Sequence, residues 1–415
     1  MTKRPWIIAW DLISPFGSDL EAQWRRAEAG ESGIGPLTRF PLPDGFPVTV
    51  AGQVPAIDVT PYDFLSPRKM AHWTSPIFLH AMLVVHRAMK RAGLEIDAAI
   101  APRVATTFST AIGGLDAVLA ADRNMVARGR LPHPFANPNA CVNMVAGKVS
   151  MLTGATGPIT TTITACATGN SSIIAGAMFI EAGMADVAIC GAVDFPLVEP
   201  IVGGFATMNG AYKTKADSDA DVQRASRPFS VDRRGFVVSE GAACVLLASP
   251  DFARAHGLSA AFELAGWGMS ADAHHFVAPH LPSVSRCMSD TIKHAGLGPR
   301  DVSAINAHAA STKVGDAVEV QALRQVFGEQ LPPLSANKSL IGHAMGASSA
   351  IETVLALMGM ERDTILPTIG YRADPALGDL DCVAEGARSL KQEHVLNNSF
   401  GFGGCNACLL LRRLA

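Results

Sequence analysis

The chain has 415 residues, more than one ordinary hydrophobic core accommodates, so two packed halves are expected. Apolar residues make up 48% and charged residues 17%, which excludes a disordered chain and suits a large buried α/β core. A net charge of −3 excludes a global pull toward nucleic acid or a membrane surface. No stretch approaches the roughly 18 apolar residues of a membrane span.

The N-terminal run Trp6 to Trp10 reads as a first strand rather than a signal peptide. Ser14-Pro15-Phe16-Gly17 turns into a helix over 19–29, and 37–60 is Pro-rich and irregular. The spacing of Leu79, Met82, Leu83, Val85 and Met89 predicts a long helix over 75–92. A strand over 103–107 ends in a glycine-containing turn, and a helix over 142–152 follows. The β-branched run Thr160 to Thr164 then predicts a buried strand, and the residues after Ala167 predict a helix. Cys166 sits on the turn between them. A thiol there faces the positive end of the helix dipole and free backbone N–H groups, a setting expected to favour the nucleophilic thiolate.

A strand is expected over 184–192, a polar loop over 212–227 containing Lys213 to Asp221, and an apolar strand over 242–248. The divide between halves is placed near Pro250, giving an N-terminal half 1–250 and a C-terminal half 251–415. The second half repeats strand–helix alternation: strand 260–268, helix 284–295, strand 302–307 ending at His308, helix 316–327, strand 334–338, and a turn holding His343. A small-residue helix over 347–359 and strands over 396–400 and 407–411 close the chain. Such alternation implies mixed sheets with helices on their faces.

Eight cysteines are scattered through apolar runs, which is not a disulfide framework and fits a reducing cytoplasm. Cys405 and Cys408 are formally C-x-x-C but lack a second pair, so no metal or cofactor is expected.

Three strand ends therefore carry reactive side chains: Cys166, His308 and His343. Four ordered motifs surround them: T-A-C-A-T-G, N-A-H-x-x-S-T-x-x-G-D, N-K-S-x-x-G-H-x-x-G-A and N-S-F-G-F-G-G-x-N. In this order they resemble the β-ketoacyl-acyl carrier protein synthases, elongating condensing enzymes of the thiolase-like superfamily. The resemblance runs from Ser14 to Asn406. It implies an α/β, thiolase-like fold of two similar halves, each with a mixed five-stranded sheet, in αβαβα layers. It also implies a homodimer, with a heterodimer as the variant form, and acyl carrier protein as the partner.

The implied reaction is ping-pong acyl transfer. Cys166 accepts an acyl group, malonyl-carrier protein loses carbon dioxide, and the enolate attacks the acyl thioester. His308 and His343 would stabilise the enolate, and the N–H groups of Cys166 and Phe402 would form an oxyanion hole. The resemblance makes Lys338 a support of the histidine network, paired with Glu352. Asp316 and Glu319 would order the His308 loop. Phe402, between Gly401 and Gly403, becomes a gate. Thr312 would bind the pantetheine arm; Ile112, Ala136 and Phe205 would line the acyl pocket. Arg68, Lys69, Arg128 and Arg130 would dock the acidic carrier.

Departures point to a specialised synthase. Ala310 replaces one arm-binding hydroxyl, Val277 another, and Cys405 a usual Thr. A biosynthetic thiolase is the alternative that shares fold and nucleophile, but it needs a second cysteine in the turn where Phe402 stands. The catalytic ketosynthase subunit of a type II polyketide-like heterodimer is compatible with Cys166.

Overall fold

The computed structural model describes residues 4–214, 222–384 and 386–414. Most of the acidic-basic run expected to form a loop, 215–221, lies outside the described residues. Nine strands form one mixed sheet: β1 (Trp6–Ile13), β2 (Val104–Ser109), β3 (Val187–Asp194), β4 (Gly241–Ala248), β5 (Phe262–Ala271), β6 (Ala304–Asn306), β7 (Leu334–Ser335), β8 (His394–Gly401) and β9 (Cys405–Arg413). Their order is β2-β3-β4-β1-β5-β9-β8-β6-β7.

The order exposes the duplication. In the first half β2 and β3 are parallel, then β4 and β1 follow antiparallel. In the second half β6 and β8 are parallel, then β9 and β5 follow antiparallel. The halves meet where Trp6 and Ile7 of β1 pair with Glu263 and Phe262 of β5. The second half adds β7, parallel to β6. The counterpart expected at 160–164 does not complete a regular strand. Ile159 bridges Thr106 and the Thr160 N–H reaches the Thr106 carbonyl at 3.0 Å, after which the segment leaves the edge. Ile163 is 47% exposed, so β-branching marks an edge here rather than an interior.

Five helices place the site: α1 (Pro76–Ala92), α2 (Thr168–Glu181), α3 (Leu281–His294), α4 (Lys313–Phe327) and α5 (Gly346–Glu361). Proline opens α1 where its missing N–H costs nothing, and Gly93 at φ 63° closes it. The amphipathic α1 covers one outer face and α3 with α4 the other. Helices α2 and α5 are small-residue, nearly all-buried helices packed on each other in the middle. A Cβ at Gly169 would stand 2.4 Å from the Ala350 backbone nitrogen, so glycine sets how closely these two helices approach.

A buried amide network locks this layer to the second half. Asn170 on α2 donates to the carbonyls of Asn397 and Ala407 at 3.3 and 3.0 Å. Asn397 donates to Thr353 on α5 at 2.8 Å and accepts from Asn306 at 2.6 Å. Unpaired, these groups would be costly to bury; paired, they fix register between α2, α5, β6 and β8. Among the described residues no helix is long and apolar enough to cross a membrane.

Candidate active site

Cys166 lies on a single helical turn, Ala165–Ala167, that runs into α2. The turn is tight: Ala165 takes φ 48°, a left-handed conformation that alanine rarely adopts. Thr168 Oγ1 holds it by accepting from the Thr164 N–H at 3.0 Å and donating to the Ala165 carbonyl at 2.7 Å. Ser399 on β8 donates to the Cys166 carbonyl at 3.0 Å.

His343 is carried by the turn before α5. Its backbone is pinned to the segment before β4, donating to Val237 O at 2.7 Å and accepting from the Ser239 N–H at 2.9 Å. The ring is clamped at both nitrogens: Nδ1 is 2.9 Å from Ser348 Oγ, and Nε2 is 3.1 Å from Cys166 Sγ. Phe236 stands edge-on to it at 5.4 Å.

His308 follows β6. Its N–H and that of Ala309 donate to the two oxygens of Glu319 at 2.9 and 2.7 Å. Its carbonyl accepts from Lys338 Nζ at 2.6 Å. The ring faces His343 edge-on at 5.7 Å and Phe400 at 5.7 Å. Among the described residues its Nδ1 has no hydrogen-bond partner.

Lys338 is 1% exposed and ion-paired to Glu352 at 2.6 Å. It stands on a short helical turn, Lys338–Ile341, rather than on a strand, because β7 stops at Ser335. Glu352 projects from α5 and burial pushes its carboxyl up to about 7. Asp316 caps the loop before α4, accepting from the Phe229 and Thr312 N–H groups at 2.8 and 3.0 Å; burial pushes it up to about 7.

Burial pulls both histidines well below their ordinary value, and the Lys338 charge adds to it. Both rings are therefore neutral. The thiol behaves differently from the expectation. Burial pushes Cys166 up to about 11, outweighing the Lys338 charge and the N–H groups of Phe402 and Cys166 that favour thiolate. Desolvation penalises the charged form more than the helix end rewards it, so the resting pair is thiol and neutral imidazole.

Cys166, His308, His343, Phe402 and Thr312 line one cavity of about 490 Å³. Gly401 lets the Phe402 turn approach: a Cβ there would sit 2.4 Å from the Thr164 carbonyl. Gly403 at φ 79° donates to the Phe276 carbonyl at 2.9 Å, folding the turn back. Thr312 caps α4, its Oγ1 accepting from the Gly315 N–H at 3.1 Å. Ala310 and Val277 also line the cavity, at its apolar side. Cys405 does not line it.

The expected acyl-pocket residues separate. Ile112 and Phe205 pack with Phe402 in an apolar cluster, Phe205 to Phe402 at 6.3 Å, and of the three Phe402 alone lines the cavity. Ala136 is not brought to Cys166 within the chain. It lines a different hollow of about 430 Å³ together with Arg128 and Arg130. Arg68 and Lys69 are exposed on the turn Pro67–Met70, with Lys69 2.5 Å from Asp63.

Sequence reasoning missed Asp194, Ser348 and Phe236. Asp194 is fully buried at the end of β3. It accepts from Thr110 Oγ1 at 2.7 Å, from the Ala111 and Ile112 N–H groups at 3.1 and 2.9 Å, and from the Gly346 N–H. It thus ties the Ile112 loop to the turn after His343. An acid closing an otherwise apolar strand is the signal that would have found it.

Residues 4–253 match the family described as Beta-ketoacyl synthase, N-terminal domain, and residues 261–372 match Beta-ketoacyl synthase, C-terminal domain. The chain is 35% identical over 424 residues to 3-oxoacyl-[acyl-carrier-protein] synthase 2 of Coxiella burnetii (strain RSA 493 / Nine Mile phase I), covering 99% of each. A type II PKS ketosynthase, solved with its acyl-carrier protein and bound to the hexaketide, superposes with a TM-score of 0.90 at 26% identity over 100% of both chains. The ishigamide ketosynthase/chain length factor gives 0.89 at 29% identity, again over 100% of both. With two matched domains and a full-length relative above a third identical, the chain belongs to the β-ketoacyl synthase family of condensing acyltransferases.

Proposed function

We propose that this chain joins an acyl group held on Cys166 to malonyl-acyl carrier protein by decarboxylative Claisen condensation, in fatty acid or related polyketide or polyene biosynthesis. One observation carries the reading: Cys166 Sγ, 3.1 Å from His343 Nε2, shares a cavity with His308.

In the first half-reaction His343 Nε2 takes the thiol proton as sulfur attacks the incoming thioester. The oxyanion is held by the N–H groups of Cys166 and Phe402. The departing pantetheine thiolate recovers the proton from His343. In the second half-reaction the malonyl thioester oxygen lies between the two imidazoles. Both donate N–H to it as carbon dioxide leaves, and the enolate carbon then attacks the acyl-Cys166 carbonyl, expelling the Cys166 thiolate, which regains its proton from solvent. Neutral rings suit this role, since they hold a donor without needing to lose a charge. Ser348 serves both stages: its hydroxyl can accept from Nδ1–H or donate to Nδ1, so His343 can present Nε2 as acceptor or as donor.

Lys338, Glu352, Glu319 and Asp316 act through the backbone and field around His308. Phe402 gates between the cavity and the Ile112 and Phe205 cluster, with Ala136 reaching a pocket only from a second copy. Carrier protein would dock on Arg68, Lys69, Arg128 and Arg130. The division at residue 250 would leave the nucleophile in one half and both histidines in the other. Eight cysteines, all unpaired among the described residues, support a reducing cytoplasm.

A second reading is the catalytic subunit of a ketosynthase heterodimer, favoured by the likeness to the ketosynthase/chain length factor structure. A thiolase reading needs a second thiol in the cavity, and among the described residues Cys166 alone supplies one. The test is intact-mass measurement after incubation with acyl-carrier proteins. Wild type should gain the acyl mass, and Cys166→Ala should gain none. Undiminished acylation of Cys166→Ala would refute the assignment.

A further inference from the structure

Asp194, the last residue of β3, is a fully buried acid that takes no part in the proposed bond-making steps. Among the described residues its hydrogen-bond partners are all uncharged donors. Oδ1 accepts from Thr110 Oγ1 at 2.7 Å and from the Ile112 N–H at 2.9 Å, and the Ala111 nitrogen lies 3.1 Å from each oxygen. The Gly346 N–H completes the set. Thr110 Oγ1 itself accepts from the Gly113 N–H at 3.0 Å, so its own proton is free to point at Asp194. Donors converging from two segments suit an acceptor-only carboxylate; an amide in its place would set an NH2 group against one of them.

Both segments border the reaction. One is the turn over 110–113, whose Ile112 packs in the apolar cluster with Phe205, Phe402 and Met345. The other is the start of α5, just past His343. Met345 there takes φ 48°, a conformation unfavourable for methionine, directly before the N–H that Asp194 accepts. Gly346 is tightly packed. A Cβ on it would stand 2.8 Å from Ala111 Cβ, from Asp194 Oδ2 and from Cβ of Thr168, the residue that holds the Cys166 turn. Ile112 therefore cannot leave the cluster without stretching hydrogen bonds to a carboxylate held against α5.

We propose that Asp194 is a positioning residue that sets how long an acyl chain Cys166 accepts, by anchoring the Ile112 turn to the first residue of α5. The inference rests on the proposed acyl path past Phe402 toward Ile112 and Phe205. A short chain fits with the anchor intact. A longer one must push Ile112 aside, and the anchor opposes it with hydrogen bonds to a charged group, stronger than those between neutral partners. Asp194 also opposes ionisation of Cys166, an effect common to every acyl group. The ratio of loading rates for two acyl groups cancels it.

The test follows by intact mass the loading of Cys166 from dodecanoyl- and hexanoyl-acyl carrier protein, in wild type, Asp194→Asn, Thr110→Val and Ile112→Ala. Asp194→Asn should raise the dodecanoyl-to-hexanoyl ratio roughly tenfold, the effect of losing one hydrogen bond to a charged group. Thr110→Val deletes a single donor and leaves the carboxylate in place. It should raise the ratio by a smaller factor, and it carries the test if Asp194→Asn does not fold. Ile112→Ala should raise the ratio too, because it trims the side chain that stops the acyl group. A ratio that rises in Ile112→Ala but stays at the wild-type value in Thr110→Val and in folded Asp194→Asn overturns the inference while the acyl path stands. Equal slowing of both acyl groups in Asp194→Asn overturns it likewise, since Asp194 would then only hold the fold together. A ratio unchanged in Ile112→Ala as well overturns the acyl path, and the inference with it.

Discussion

Cys166 Sγ and His343 Nε2 stand 3.1 Å apart although 177 residues separate them. The thiol comes from the turn before α2 and the imidazole from the turn before α5, and the close packing of those helices brings the two together. In the proposed scheme His343 serves both half-reactions but is indispensable only to the second. His343→Ala should still be acylated on Cys166, more slowly, and should fail to condense. Single-turnover assays that separate acylation from product formation check this; normal condensation would remove His343 from the enolate's oxyanion site.

Lys338 and Glu352 are each 1% exposed. Removing one partner of a buried ion pair leaves an uncompensated group and typically costs about 3–5 kcal/mol. Lys338→Met should lose stability on that order, and Lys338→Met/Glu352→Leu should recover part of it. Urea unfolding of the two variants measures the difference. A single variant as stable as wild type would contradict the pairing.

Asp194 binds its proton more tightly in the folded chain than in the unfolded one, its carboxyl being raised from 3.8 to about 6 by burial. Its contribution to stability is therefore full below about pH 4 and is lost as pH rises through about 6, on the order of 3 kcal/mol. Asp194→Asn removes that titration. Thermal unfolding should show a smaller loss between about pH 4 and about pH 6.5 in the variant than in wild type. Equal losses would mean the carboxyl is not raised.

Phe402 contributes a backbone N–H toward Cys166 and a ring toward Phe205. Phe402→Ala keeps the first and deletes the second. Acylation should persist, and alkylation of Cys166 by iodoacetamide should become several-fold faster as the way past the ring opens. An unchanged alkylation rate would show that the ring does not gate the thiol.

The juxtaposition of Cys166, His308 and His343 was legible because each ends a recognisable unit: Cys166 a turn into a helix, His308 a strand, His343 a glycine turn. Lys338 with Glu352 was legible from the motif, though the pairing distance was not. Charge balance at Cys166 was misread, because local sequence shows the helix start but not how deeply the rest of the chain buries it. Thr160 to Thr164 was misread for the complementary reason: β-branching marks extended chain without saying whether a neighbour strand covers it. Asp194 was marked only by an acid closing an apolar strand; its partners, the Ile112 loop and Gly346, come from distant segments and could not be read from its neighbours in sequence. Ala136 lines another hollow within its own chain, so its expected place at an acyl pocket, matched to a residue of the partner subunit in relatives, concerns a second copy.

The central claim is that Cys166 carries the acyl group into a condensation served by the two imidazoles. The most direct measurement isolates acyl-Cys166 enzyme, adds malonyl-carrier protein and follows the intact mass of both proteins. The account predicts that the acyl mass leaves Cys166 as carbon dioxide is released and reappears on the carrier, extended by the malonyl-derived unit. An adduct on another residue, or one on Cys166 that survives while malonyl-carrier protein remains unchanged, would contradict it.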